Sequence, residues 1–137
     1  MSARYLLDTH AWIWLTLGIE LGEEPVRILS EAATTGGLAL AAISVWEAAM
    51  LVAKGRLEIA SDVHSWLKQA LAAPGLTLLP LEPEIAIQSA FLPGNFHGDP
   101  ADRMIVATAR HHRIPLATRD QKIRCWAAEG FLEILPI

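Results

Sequence analysis

The stretch whose reading decides the fold is residues 4–15, "RYLLDTHAWIWL". It opens on a short apolar run, Tyr5-Leu6-Leu7, stops at a carboxylate, Asp8, and resumes as "THAWIWLTLG" up to Gly18. An uninterrupted apolar run of this length reads as a strand buried on both faces. The segment after it reads as a helix with a glycine stop. Asp8 itself is open to two readings, the cap of the following helix or the first ligand of a metal site.

The rest of the chain repeats the unit. "EEPVRILSEAATTGG" carries Val26, Ile28, Leu29, Ala32 and Ala33 at helical spacing. "LALAAIS" reads as a second buried strand and "VWEAAMLVAKGRL" as a helix ended by Gly55. "SDVHSWLKQALAAPG" is a helix with Ser61 or Asp62 as N-cap. "LTLLPL" is a third strand, and "EPEIAIQSAFLPG" a helix ending at Pro93-Gly94. After the loop "NFHG", "DPADRMIVATARHHR" is a helix with Asp99 as N-cap and Pro100 at its first position. "IPLATRD" is a strand, "QKIRCWAAEG" a short helical piece and "FLEILPI" a last strand. Strands alternating with helices predict a three-layer α/β/α sandwich around a central parallel sheet of four to five strands. No linker, repeat or low-complexity segment interrupts residues 1–137, which are expected to form one domain.

Bulk properties narrow the function classes. The hydrophobic fraction is 53% and mean hydropathy +0.33, which excludes disorder and predicts apolar surface left over for a partner or a second copy. A net charge of −4 argues against gripping nucleic acid through bulk positive charge. Local charge is less even: Arg103, Arg110, Arg113, Arg119, Lys122 and Arg124 are six of the 11 basic residues. The single Cys125 allows no internal disulfide, and no run of eighteen apolar residues is present, so the cytoplasm is the expected compartment.

In an open parallel sheet, ligands bind beyond the carboxyl ends of the strands. Asp8 ends the first strand, Glu47 lies one helical turn past the second, Asp99 and Asp102 open a helix, and Asp120 ends the fourth strand. Each has a structural explanation. Ser44 and Glu47 in "SVWE" fit a capping box, Asp99 is a natural N-cap, and Asp102 suits the positive end of the helix dipole. Together they are harder to explain as caps, since all are acidic and all fall on one sheet edge. Converging carboxylates raise one another's pKa unless a cation neutralises them. Hard oxygen donors without a Cys pair or His spacing select Mg²⁺ or Mn²⁺ over Zn²⁺. One or two such cations bind phosphate oxygens and activate water, which makes phosphodiester hydrolysis the natural chemistry. A cation would also let an acidic protein hold a polyanion, with the basic residues 103–124 assisting.

"LLDTHAWIWL", "SVWEAAMLVAKGRL", "HGDPADRMIVATA" and "ATRD", in this order across nearly the whole chain, resemble the PIN-domain ribonucleases. More narrowly they resemble the VapC toxins of bacterial VapBC toxin–antitoxin modules. The resemblance implies a single PIN-like domain and an Mg²⁺- or Mn²⁺-dependent endoribonuclease. It also implies a homodimer, inhibited by a small VapB-like antitoxin whose C-terminal segment wraps it. It places the acidic quartet on Asp8, Glu47, Asp102 and Asp120, and an additional acidic position on Asp99. The family's hydroxyl beside the last acid falls on Thr118, as a contact to that acid's neighbours or to substrate. In this reading the quartet positions the metal, directly or through water, for in-line attack on an RNA phosphate.

Arg103 and Arg119, each beside a proposed ligand, are the candidate phosphate contacts, with exposed salt bridges as the alternative. His10 is expected to be structural, because neutral imidazole is a poor Mg²⁺ ligand. His111 and His112 suit a helix C-terminus, His97 lies in the loop before Asp99, and His64 is expected on the surface. Trp12, Trp14 and Trp46 are candidates for a partner groove. The rival readings are a receiver domain, a haloacid-dehalogenase-type phosphatase and a catalytically inactive PIN-like binding module whose acids are only caps. The first lacks a second acid after strand one and an Asp in "LTLLPLEP". The second lacks Asp-x-Asp, since His10 stands at the third position.

Overall fold

Leu6 and Leu7 are adjacent in β1 (Tyr5–Leu7) yet belong to different cores, because successive side chains of a strand leave on opposite faces. In the computed structural model, which describes residues 3–18 and 21–137, five strands pair in parallel in the order β3-β2-β1-β4-β5. The others are β2 (Leu38–Ala41), β3 (Leu76–Leu79), β4 (Leu116–Thr118) and β5 (Ile134–Pro136). Leu6 sits in register with Ala39 of β2 and with Leu116 of β4, which fixes which side chains share each face.

On one face Leu7 and Leu40 meet α1 (Thr9–Leu17), α2 (Glu23–Thr34), α3 (Ala42–Ala53) and α4 (Val63–Leu71) through Trp12, Leu29, Ala48 and Trp66. On the other, Leu6, Ala39 and Leu116 meet α6 (Pro100–His112) and α7 (Gln121–Trp126) through Ile105, Val106, Ile123 and Trp126. α5 (Pro83–Ala90) packs on α6. This is the α/β/α sandwich with five strands. Trp12 is fully buried and donates its indole N–H to the Ala70 carbonyl at 3.3 Å, so it is a core residue and lines no partner groove. Each fully buried large apolar side chain of this kind contributes about 1.5–3 kcal/mol. No helix of the described residues is long and apolar enough to cross a membrane.

Most element ends fall where sequence signals place them. Gly18 is left-handed at φ 71° and closes α1, and Asp62 caps α4 by accepting from Ser65 N–H. Two boundaries differ. β2 ends at Ala41 and α3 starts at Ala42 with no loop, so Ala42-Ile43-Ser44 is helical and not strand. The capping box fails with it, since the N-cap is Ala41 and Ser44 lies inside the helix. α5 likewise stops at Ala90, short of Pro93-Gly94.

The strand order reverses at β1: β2 and β3 lie on one side, β4 and β5 on the other. The crevice at the carboxyl ends of β1 and β4 is the point where such sheets bind ligands.

Candidate active site

Asp8 follows β1 and Asp120 follows β4, so the two adjacent central strands deliver one carboxylate each to that crevice. The β2–α3 junction carries Glu47 there, and the start of α6 carries Asp99 and Asp102. All five acids line one cavity of about 440 Å³, shared with Thr9, His10, Trp14 and Arg119. A larger hollow, about 950 Å³, lies elsewhere against Phe91, Arg113 and Leu132 and gathers no cluster of carboxylates.

Three of the acids also cap helices. Asp8 Oδ1 accepts from Ala11 N–H at 2.7 Å, Asp99 Oδ1 from Asp102 N–H at 3.2 Å, and Asp120 Oδ1 from Ile123 N–H at 2.9 Å. Capping uses one carboxylate oxygen and turns the group toward the sheet edge, so the cap and the site are compatible roles for one residue. Glu47 and Asp102 cap nothing.

The second oxygen of Asp8 accepts a short hydrogen bond from the Thr118 hydroxyl. Thr118 in turn accepts from Asp120 N–H at 3.0 Å. Thr118 is wholly buried, so its work is to orient Asp8 and the turn into Asp120, and substrate does not reach it. Thr9 plays the matching part for Glu47: its hydroxyl donates to that carboxylate and lies 2.9 Å from Ser44 Oγ. Neither Thr9 nor this use of Ser44 was anticipated from sequence. The available signal is a hydroxyl residue, Thr9, placed directly after Asp8 in the first turn of a largely apolar helix.

The electrostatics are those of crowded like charges. Asp102 is pushed up to about 7, first by burial and then by the charges of Asp99, Glu47, Asp120 and Asp8. Burial also raises the Asp8 carboxyl, against the opposing hydrogen bonds from Thr118 and from Ala11 N–H. His97 accepts from Asp99 N–H through Nδ1, which leaves the proton of the neutral ring on Nε2, 3.4 Å from Asp102 Oδ2. His97 thus addresses an acid of the cluster.

The basic residues divide. Arg119 lines the cavity, and Lys122 borders an adjoining hollow of about 460 Å³ with Asp99, Asp102 and Asp120. Arg103 does not line it. Its guanidinium donates to the carbonyls of Ser89, Phe96, His97 and Ala90 at 2.9–3.4 Å, which pins the loop before α6. Arg110 is similarly engaged by the Phe131 carbonyl. His64 is exposed, His112 is the last residue of α6, and Trp46 is 56% exposed on α3.

The donor set fits a hard divalent cation: five carboxylates line one cavity, and burial and crowding raise two of them, Asp8 and Asp102. The group whose ligand atoms lie within 4.8 Å of one another is a different one, Glu82, His111 and His112, a softer nitrogen-oxygen set. The five acids stand farther apart, as unscreened like charges do until a cation draws them in.

Comparison with known proteins identifies the family. The family model described as the PIN domain matches residues 5–127. The chain is 40% identical over 124 residues to Ribonuclease VapC22 of Mycobacterium tuberculosis, covering 87% of this chain and 88% of that protein. It is similar to a toxin–antitoxin complex from Klebsiella pneumoniae, at 26% identity and a TM-score of 0.57 over 86% of this chain and 88% of that one. The fold also matches DNA-bound VapBC from Salmonella typhimurium, with a TM-score of 0.69 at 16% identity over 98% of both chains.

Proposed function

The chain belongs to the PIN-domain family, on its VapC-like branch, and from that premise we propose that it is a metal-dependent endoribonuclease acting as the toxin of a toxin–antitoxin pair. The observation that carries this reading is the convergence of Asp8, Glu47, Asp99, Asp102 and Asp120 on one cavity. Their mutual repulsion with burial, seen in the raised Asp102 carboxyl, is what a bound cation relieves.

In the proposed mechanism Asp8, Glu47, Asp102 and Asp120 hold Mg²⁺ or Mn²⁺, and Asp99 is a fifth carboxylate within reach. When bound, the cation supplies a nucleophilic water at neutral pH and screens the phosphate charge that develops during hydrolysis. The chain's own groups set the geometry. Thr118 holds the Asp8 carboxylate, Thr9 holds Glu47, and His97 faces Asp102. Arg119, on the cavity wall, meets the RNA.

A small VapB-like antitoxin is the proposed inhibitor, and exposed Trp46 on α3 is apolar surface for it to cover. A homodimer in the cytoplasm completes the reading, with Ile87 and Phe91 of α5 and its C-cap, 55% and 81% exposed, as surface for the second copy.

The second reading is a PIN-like binding module whose acids serve only as caps. The three cap bonds favour it, and Glu47 and Asp102, which cap nothing, oppose it. The separating experiment is incubation of a total RNA pool with and without Mg²⁺, native chain beside Asp8→Asn. Cleavage by the native chain only with Mg²⁺, lost in the variant, is the expected result. Metal-dependent cleavage retained by Asp8→Asn overturns the assignment.

A further inference from the structure

The cavity has two unlike walls. One is the set of carboxylates. The other is His10, Trp14 and Arg119, which none of the metal chemistry uses. His10 and Trp14 are four residues apart in α1, so they stand on one face of the helix, with ring centroids 5.5 Å apart. The Arg119 guanidinium lies 4.4 Å from the centre of the Trp14 ring. Its Nε donates to the Ile137 carbonyl at 3.2 Å, which holds the side chain back from the acids.

The placement follows from the fold. Thr118 and Arg119 are successive residues leaving β4, so they diverge: Thr118 turns inward to Asp8, and Arg119 turns out over the first helix. Trp14 also borders a separate apolar pocket of about 190 Å³ with Leu15, Gly18, Leu21 and Val26.

We propose that this wall is a nucleobase-stacking subsite: a base next to the scissile phosphate of single-stranded RNA stacks on the Trp14–Arg119 pair, with His10 at its edge. The inference rests on the ribonuclease reading of the same cavity. Three physical points carry it. A phosphodiester brought to the carboxylate wall places its flanking base within the same 440 Å³ space. Aromatic rings and guanidinium planes are the surfaces on which unpaired bases stack, and every base has a π-face to offer. A double helix presents no free base face to such a wall, so the subsite selects single-stranded segments.

The test compares two short oligomers of equal length and charge, oligouridylate and its abasic ribose-phosphate counterpart, binding to Asp8→Asn protein in Mg²⁺. The base-bearing oligomer is expected to bind about tenfold more tightly. Adding Trp14→Ala brings that ratio close to one, and Trp14→Phe restores most of it. Arg119→Met, an exposed change that keeps the aliphatic stem, lowers the ratio several-fold and serves where Trp14→Ala fails to fold. A ratio of one without any wall substitution, or a ratio unmoved by Trp14→Ala and Arg119→Met, overturns the proposal. Cleavage of RNA by the native chain is scored separately. Cleavage together with a base-bearing to abasic binding ratio of one sinks the stacking subsite alone; a ratio near tenfold without cleavage sinks the nuclease reading and leaves the subsite standing.

Discussion

Thr118, at the end of β4, donates its hydroxyl to Asp8, at the end of β1, and so joins two acids' strands across 110 residues of sequence. The same hydroxyl accepts the Asp120 backbone N–H, which makes Thr118 a fastener between the first and last acids of the cluster.

Thr118→Val keeps the shape and removes the hydroxyl. It leaves Asp8 Oδ2 buried without this donor, and the expected cost is about 1–3 kcal/mol of stability. Cleavage should fall at least tenfold, because the Asp8 carboxylate loses its fixed rotamer. Thr118→Ser is expected to restore both. Chemical denaturation read beside RNA cleavage checks the pair.

Stability of the metal-free protein should fall as pH rises. Asp102 titrates near 7 in the folded chain and near its ordinary 3.8 when unfolded. Between those values the native state holds a proton that the unfolded state has released, so stability declines through that window. Asp8, also raised, adds in the same direction. Mg²⁺ or Mn²⁺ needs the ionised acids, so its stabilising effect grows over the same range. Thermal melts in chelator and in millimolar metal, from about pH 5 to pH 8, test both slopes. A metal-free melting temperature that climbs with pH refutes the account.

Asp102→Asn removes one charge from the cluster and keeps the side-chain shape. The metal-free variant should melt above the native chain at neutral pH and lose most of its response to Mn²⁺. Cleavage should be lost with it. A site that trades stability for ligand binding behaves in this way. Isothermal titration with Mn²⁺ beside melting curves measures the two effects together.

Arg103→Lys tests whether this residue clamps a loop or meets RNA. The fork of Arg103 reaches four carbonyls, and a lysine ammonium cannot span them. A loss of about 2–3 kcal/mol is expected, with the salt dependence of RNA binding unchanged. A phosphate contact would give the opposite pattern: stability kept and a shallower salt slope.

The parallel sandwich was legible because buried strands and amphipathic helices alternate with clear boundary signals, such as Gly18 at the end of α1 and Pro100 at the start of α6. The end of β2 was not. Ala39 to Ser44 is apolar or small throughout, and a short apolar run has no period to tell strand from helix. That one boundary also misassigned Ser44. The acids were legible as a set, but the choice between cap and site had no answer in sequence, since Asp8, Asp99 and Asp120 line the cavity and cap with one oxygen each. The clamp made by Arg103 was hidden for a different reason. Its partners are backbone carbonyls of residues 89–97, and carbonyls carry no sequence signal. Thr9 stayed hidden because its partner, Glu47, is 38 residues away.

The join between β1 and β4 also has a consequence for how the protein is made. Asp8 emerges first from the ribosome, and its hydroxyl partner is translated 110 residues later. At ordinary elongation speeds of about 5–20 residues per second, the interval is roughly 6–20 s. During that time the N-terminal helices can pack, but Asp8 has neither Thr118 to aim it nor Asp120 beside it. β4 then needs β5, whose last paired residue is Pro136, on its outer edge. A chain still under synthesis therefore carries an unfinished acidic centre until β4 and β5 have both been made and paired.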